Sequence, residues 1–310
     1  MKRFCIISAA IIALGLLSCC SNAKTQEVSP PFFGVEDTET GGRVYMLGSM
    51  HSCPKRTVYP EEIMSAFYES EFVACEVDTI ALSNNKQLLS ECSSLLLCPE
   101  GTTASDFLGE SYDTIRDFFK ELGIYNSAYD SYKPVMWSSL LTNATAKSCG
   151  YDSESGTEAY FLSLAKKQGK PIIELETALE QYTVLASEPD ELVRYALETA
   201  AKDGREAQAD NLRELFSAWA SADEETLTRL LHEDEPEGTL KEQYALFYDK
   251  MYTERQKKMA AQVTEWLKNG DTVFMFVGAL HFYASPDIPD FLEGAGYDCT
   301  SFYDSAVPAA

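Results

Sequence analysis

Histidine is scarce in this sequence, with three in 310 residues: His51, His232 and His281. Basic residues are few as well, 25 against 49 acidic ones, for a formal net charge of -24. No basic stripe runs along any segment, which excludes a nucleic-acid partner. So acidic a body is not drawn by charge to an anionic membrane surface either. No Cys-x-x-Cys occurs, which argues against a zinc knuckle or a thioredoxin-type motif. The long apolar run near the start, Phe4 to Leu17, is too short to be a stable membrane span. What remains, at 45% hydrophobic residues, is a chain able to bury one large core or two small ones.

That apolar run follows Lys2 and Arg3 and ends in Leu16-Leu17-Ser18-Cys19. A charged start, an apolar centre and a small-residue end describe a secretory signal. The end resembles a bacterial lipobox, in which the cysteine receives acyl chains such as palmitate and becomes the mature N-terminus. The reading is a signal over residues 1–19 with Cys19, or alternatively Cys20, as the lipidated residue. Residues 20–32 then form a polar tether, and 33–310 a single domain. The expected location is extracytoplasmic, with the membrane reached through the lipid anchor only. An exported compartment permits disulfides. Of the six cysteines beyond the leader, Cys92 and Cys98 are the nearest local candidate pair.

Four short runs are almost continuously apolar: 43–47 (RVYML), 72–77 (FVACEV), 171–175 (PIIEL) and 272–277 (TVFMFV). That pattern fits strands covered on both faces. Helical spacing fills the segments near 103–122, 132–148, 156–169, 188–203 and 205–219. One long helix is expected from Thr239 to Asn269, after an acidic loop that holds His232. The order predicts an α/β fold with a largely parallel central sheet and flanking helices. A helical cap is inserted over about 84–150 and 180–235.

Two of the strand-like runs share an ending. "RVYMLGSMH" (43–51) and "VFMFVGALH" (273–281) align so that Gly48 meets Gly278 and His51 meets His281. Each is followed by a loop, a proline, a helix and a strand, a weak duplication of the form β-GxxH-helix-β. One Gly-x-x-His is a chance pattern, but two with matching apolar lead-ins are not. Glu76 and Glu176 also lie at strand ends. Ligands in open parallel sheets bind where the strands end, so two imidazoles and two carboxylates are expected at one edge. Arg255 falls within the apolar stripe of the long helix (Leu240, Tyr244, Phe247, Met251, Met259, Val263, Trp266) and needs a buried partner such as one of these carboxylates.

"MLGSMH", "FVACEVD", "GTEAYFLSLAKKQGKPIIELETALEQ", "ERQKKMAAQV" and "FMFVGALHFYASPDIPDFLEGAGYDC" together resemble the TraB/GumN family, relatives of the Tiki metalloproteases. The likeness runs in order over most of the chain. It implies an erythromycin-esterase/ChaN-like core with both histidines and the glutamates lining one site, and a manganese- or cobalt-dependent peptidase activity. Three positions depart from the family pattern: Gln256 after Arg255, Glu158 in Gly156-Thr157-Glu158, and the run Phe282 to Pro286.

The expected function is therefore a lipid-anchored, metal-dependent hydrolase acting on a peptide or small molecule. His51, His281 and Glu76 are the candidate ligands of a divalent ion, manganese or cobalt by resemblance, with zinc and iron also suited to mixed nitrogen and oxygen donors. Glu76 or Glu176 is the candidate base and Arg255 the group that orients a carboxylate or steadies an oxyanion. One alternative is a non-catalytic protein that holds a metal complex or small ligand, haem-like, in the same cleft. Another is an adhesion or signal-inhibitor module.

Overall fold

The computed structural model describes residues 25–233 and 235–303. The leader, with the lipidation candidates Cys19 and Cys20, lies outside the described residues. The main sheet has six strands: β1 (Phe32–Glu36), β2 (Arg43–Ser49), β3 (Phe72–Cys75), β4 (Ile172–Glu174), β5 (Thr272–Gly278) and β6 (Thr300–Ser301), in the order β6-β1-β2-β5-β3-β4. The four apolar runs are thus neighbours, and β2, β5, β3 and β4 are mutually parallel. β1 and β6 add antiparallel edges, so the sheet is mixed rather than purely parallel.

β5 owes its unbroken apolar character to its central place, with Val273 through Val277 all buried. Helix α1 (Glu61–Glu69) links β2 to β3. The first part of the cap follows as α2 (Thr79–Asn84), α3 (Lys86–Ser94), α4 (Ala104–Leu108), α5 (Tyr112–Glu121) and α6 (Pro134–Ser148). α7 (Thr157–Gln168) then leads to β4. Beyond β4 come α8 (Ala178–Ala186), α9 (Asp190–Ala220), α10 (Glu224–His232), α11 (Thr239–Tyr248), α12 (Glu254–Asn269) and, after β5, α13 (Ile288–Gly294). The two helices expected around residue 204 are both present: α9 is interrupted at Gly204, whose φ of 80° and ψ of 179° are not helical. Trp137, Phe119, Val193 and Leu197 centre a separate apolar core for the cap.

Three expectations change. The six cysteines among the described residues are all free thiols, Cys92 and Cys98 included. Cys92 is buried in the cap core, whereas the Cys98 backbone is tied to Ser131 O and its side chain is only partly covered. The duplication is partial: strand, glycine, histidine and helix recur and both closing strands run in the direction of their lead strands, but one strand, β5, separates β2 from β3, whereas two, β2 and β1, separate β5 from β6. His232 ends helix α10 instead of lying in a loop, its Nδ1 2.9 Å from Glu235. No helix among the described residues is long and apolar enough to cross a membrane.

Candidate functional site

Because four strands run parallel, their carboxyl ends share one edge, and the residues after them meet there. β2 delivers His51 through a crowded turn. A Cβ at Gly48 would lie 3.0 Å from Pro31 Cβ and 3.1 Å from Ala279 Cα, so the position has no room for a side chain. The start of α7 then presses on the same turn. A Cβ at Gly156 would come within 2.1 Å of His51 O, a separation only glycine avoids. Thr157 Oγ1 accepts from Met50 N–H at 3.0 Å, and Thr157 N–H donates to Met50 O at 3.0 Å.

The next residue, Glu158, turns its carboxylate to the imidazole. Its Oε1 is 3.0 Å from His51 Nδ1 and also accepts from the Ser49 hydroxyl. Burial opposes a charge on His51, but the adjacent Glu158 more than offsets it and lifts the pKa to about 9. The ring keeps 41% of its side-chain surface, and this part faces a cavity walled by protein. Glu158 is held below the usual carboxylate range, since His51 and Ser49 outweigh the cost of its burial. His51 and Ser49 both reach this carboxylate through Oε1.

His281 comes from the 3₁₀ turn Ala279–Phe282 that follows β5, and it is almost fully buried. Gln256 fixes its tautomer. The Gln256 amide nitrogen donates to Ala284 O at 2.8 Å and Pro286 O at 2.6 Å, so its oxygen must face the ring. That oxygen is 3.1 Å from His281 Nδ1, which therefore bears the proton. Nε2 keeps its lone pair and stands 3.8 Å from Glu76 Oε1. Burial, with Arg255 nearby, pushes the His281 pKa down to about 3 and leaves the ring neutral.

Glu76 directly follows β3, and Glu176 lies just past β4. Their backbones continue the ladder, with Glu176 N–H on Glu76 O at 3.2 Å. Arg255 joins the two side chains. Its Nη2 donates to Glu76 Oε2 at 2.6 Å and to Glu176 Oε1, and its Nε to Glu176 Oε2 at 2.9 Å. Nη1 turns back to Met251 O at 3.0 Å and Met251 Sδ at 3.5 Å. Gln181 Nε2 also bridges the pair, at 3.0 Å from Glu76 and 3.1 Å from Glu176. Gly278 N–H donates to Glu76 Oε1 at 2.7 Å. Burial works against ionisation of Glu76, but Arg255 and the other donors prevail and depress its pKa. For Glu176 burial prevails over Arg255 and raises it. A π-helical turn, Asp249–Thr253, immediately precedes Arg255 and brings Met251 and Tyr252 to the same region.

These groups surround a cavity of about 170 Å³. His51, His281, Glu76, Glu158, Gln181 and Arg255 form one wall, with Gly278 beside them. Leu185, Leu215, Trp219 and Leu227 also line the cavity, with Met251 beside Arg255. Of the residues singled out in the sequence, Glu176 and Gly48 are not on the wall. Glu176 stands behind Arg255 and Gln181, and Gly48 shapes the backbone beneath. Glu158 and Gln256 had been visible only as departures from a pattern. Their roles come from tertiary approach, and the local signal was at most their closeness to Gly156 and Arg255.

The family model described as the TraB/PrgY/gumN family matches residues 33–301. A curated relative described as uncharacterized protein YbaP, from Escherichia coli (strain K12), is 23% identical over 263 residues, which covers 84% of this chain and 91% of that protein.

Proposed function

The chain belongs to the TraB/PrgY/gumN family, and from that premise and the geometry of the cavity we propose a metal-dependent hydrolase, most simply a peptidase. One observation carries the reading. Two imidazoles from distant parts of the chain line one cavity, each with Nδ1 already engaged, by Glu158 or by Gln256. Nε2 of the neutral His281 carries a lone pair, and Nε2 of His51, whose pKa is raised to about 9, would gain one as a metal displaces its proton. Histidines that bind metal commonly have their other ring nitrogen held in this way.

The donor set suits a divalent ion. His281 Nε2 and Glu76 Oε1 are 3.8 Å apart, a span that two bonds of about 2.1 Å can bridge. Two imidazoles and a carboxylate accept manganese, cobalt, iron or zinc. Among the described residues no three His, Cys, Asp or Glu side chains already form a closed set, so His51 would join the other two by side-chain movement. When bound, such an ion supplies a Lewis acid and lowers the pKa of a water.

Arg255 keeps Glu76 ionised and fixed as a ligand. Glu176 acts through Arg255 and Gln181 and is a positioning residue. Glu158, a carboxylate that lines the cavity beside His51, takes the proton of the attacking water. All the Arg255 donors are engaged, so the guanidinium orients carboxylates and is not available to an oxyanion. The anchored, extracytoplasmic setting rests on the leader and its Leu-Leu-Ser-Cys end.

The non-catalytic alternative draws on the apolar wall of the same cavity. At about 170 Å³ the space is below the roughly 300–1,000 Å³ of sites that enclose drug-sized ligands, which argues against a haem-like occupant. Elemental analysis of the purified protein, then a peptide screen with that metal restored, tests the hydrolase. Glu158→Gln should keep the metal and lower turnover by about 100-fold or more. Turnover at the wild-type rate in that variant would remove Glu158 from the mechanism. Failure of every metal form to cleave any peptide would end the hydrolase reading itself.

A further inference from the structure

The lining of the cavity is of two kinds. On the polar wall Arg255 is already fully engaged. Arg255 is the only lysine or arginine lining the cavity among the described residues, and its five N–H donors go to Glu76, Glu176 and Met251. A guanidinium has five donors and no more.

The cap, for its part, offers carbon. Trp219 is fully buried, and its indole N–H is spent on Gly48 O at 2.8 Å, so it turns only its ring toward the space. Leu185, Leu215 and Leu227, also from the cap, line the same cavity. A charged group entering here would lose its water and find no partner, whereas an apolar one loses nothing. The size sets a second limit. A cavity of about 170 Å³ is on the scale of the roughly 150 Å³ apolar cavity that takes up one benzene molecule.

We propose that this half of the cavity is a subsite for one large apolar side chain, of leucine, methionine or phenylalanine size, on an uncharged stretch of peptide beside the bond that the polar wall attacks. The identity of the bond rests on the hydrolase reading above; the subsite rests on the cap wall.

The experiment uses the full chain with its metal restored and a library of internally quenched peptides with blocked ends. Leucine, methionine or phenylalanine at one position flanking the cut bond should raise kcat/KM at least about 10-fold over alanine, aspartate or lysine. Leu215→Trp, which fills the subsite from a partly buried position, should bring the leucine-to-alanine ratio below about 3-fold. In parallel, ligand-observed NMR compares N-acetyl-leucinamide with N-acetyl-lysinamide on the wild type and on Leu215→Trp. Cleavage without apolar preference overturns the subsite and leaves the hydrolase standing. Binding of the leucine probe alone, lost in Leu215→Trp but without cleavage of any peptide, upholds the subsite and ends the hydrolase. Equal binding of the two probes, or binding of neither, together with no cleavage, overturns the subsite.

Discussion

Gln256 shows how one side chain can decide what a neighbour offers. It is fully buried, and two backbone carbonyls dictate which end of its amide faces His281. Gln256→Leu removes the acceptor of the Nδ1 proton, so the ring is free to rotate or change tautomer. Metal affinity should fall by about 10- to 100-fold, as for other losses of a partner behind a histidine ligand. Titration of manganese or cobalt into folded variant protein, with its melting temperature as a control, measures this. An affinity equal to wild type would show that Gln256 does not govern the ring. At this scale the sequence revealed those residues whose place follows from strand direction alone. His51, His281 and Glu76 stand where parallel strands end, and Arg255 had to be paired because it interrupts an apolar stripe. The depth of Glu176 was not legible, because what separates it from the cavity is the bulk of Arg255 and Gln181, supplied by other helices. Glu158 and Gln256 were hidden for the same reason.

Elements meet at this site through backbone as much as through side chains. The N-terminus of α7 can reach the His51 turn only because Gly156 has no Cβ: the atom would sit 2.1 Å from a carbonyl oxygen that cannot swing away. Gly156→Ala should therefore cost about 2 kcal/mol or more of stability and loosen the His51–Glu158 contact. Gly278→Ala is the internal comparison. There the nearest atoms to a Cβ are Glu76 Oε1 at 3.4 Å and His281 Cδ2 at 3.7 Å, ordinary contacts, so the cost should stay below about 1 kcal/mol. Denaturant midpoints of the two variants decide it, and equal losses would contradict the crowding argument. The matching glycines of the two Gly-x-x-His motifs thus do different work: Gly48 leaves space, and Gly278 offers its N–H to Glu76. The long helix carried a further signal. Its stripe takes four successive four-residue steps from Phe247 to Val263, a drift of about 160° on an ideal α-helix. The wider π turn at Asp249–Thr253 falls within that stretch and takes up part of the drift. β1 escaped notice because five residues leave almost no periodicity to read.

Over the whole molecule the question is what holds an acidic protein at a membrane. The chain carries a formal charge of -24, and like charges repel it from anionic lipid. No described helix is long and apolar enough to span a bilayer, and the proposed anchor is the leader with acyl chains placed on it. The charged start, the apolar run to Leu17 and Leu-Leu-Ser-Cys favour the acyl route through Cys19, with Cys20 as the alternative. The two physical routes respond differently to solvent. A bridge of ions between body and lipid would be screened at 1 M salt, where the Debye length shrinks to about 3 Å. Acyl chains buried in the bilayer are released by detergent and not by salt. The wild-type protein should therefore remain with the membrane pellet through a high-salt wash and leave it only in detergent. Cys19→Ala should move it to the soluble fraction or leave it unprocessed with the leader attached. Mature Cys19→Ala protein that still needs detergent would remove Cys19 as the anchor, and the same test on Cys20→Ala would then identify the neighbouring cysteine. Release of the wild type by salt alone would show that the acidic surface, through bound cations, makes the contact that the sequence assigns to lipid.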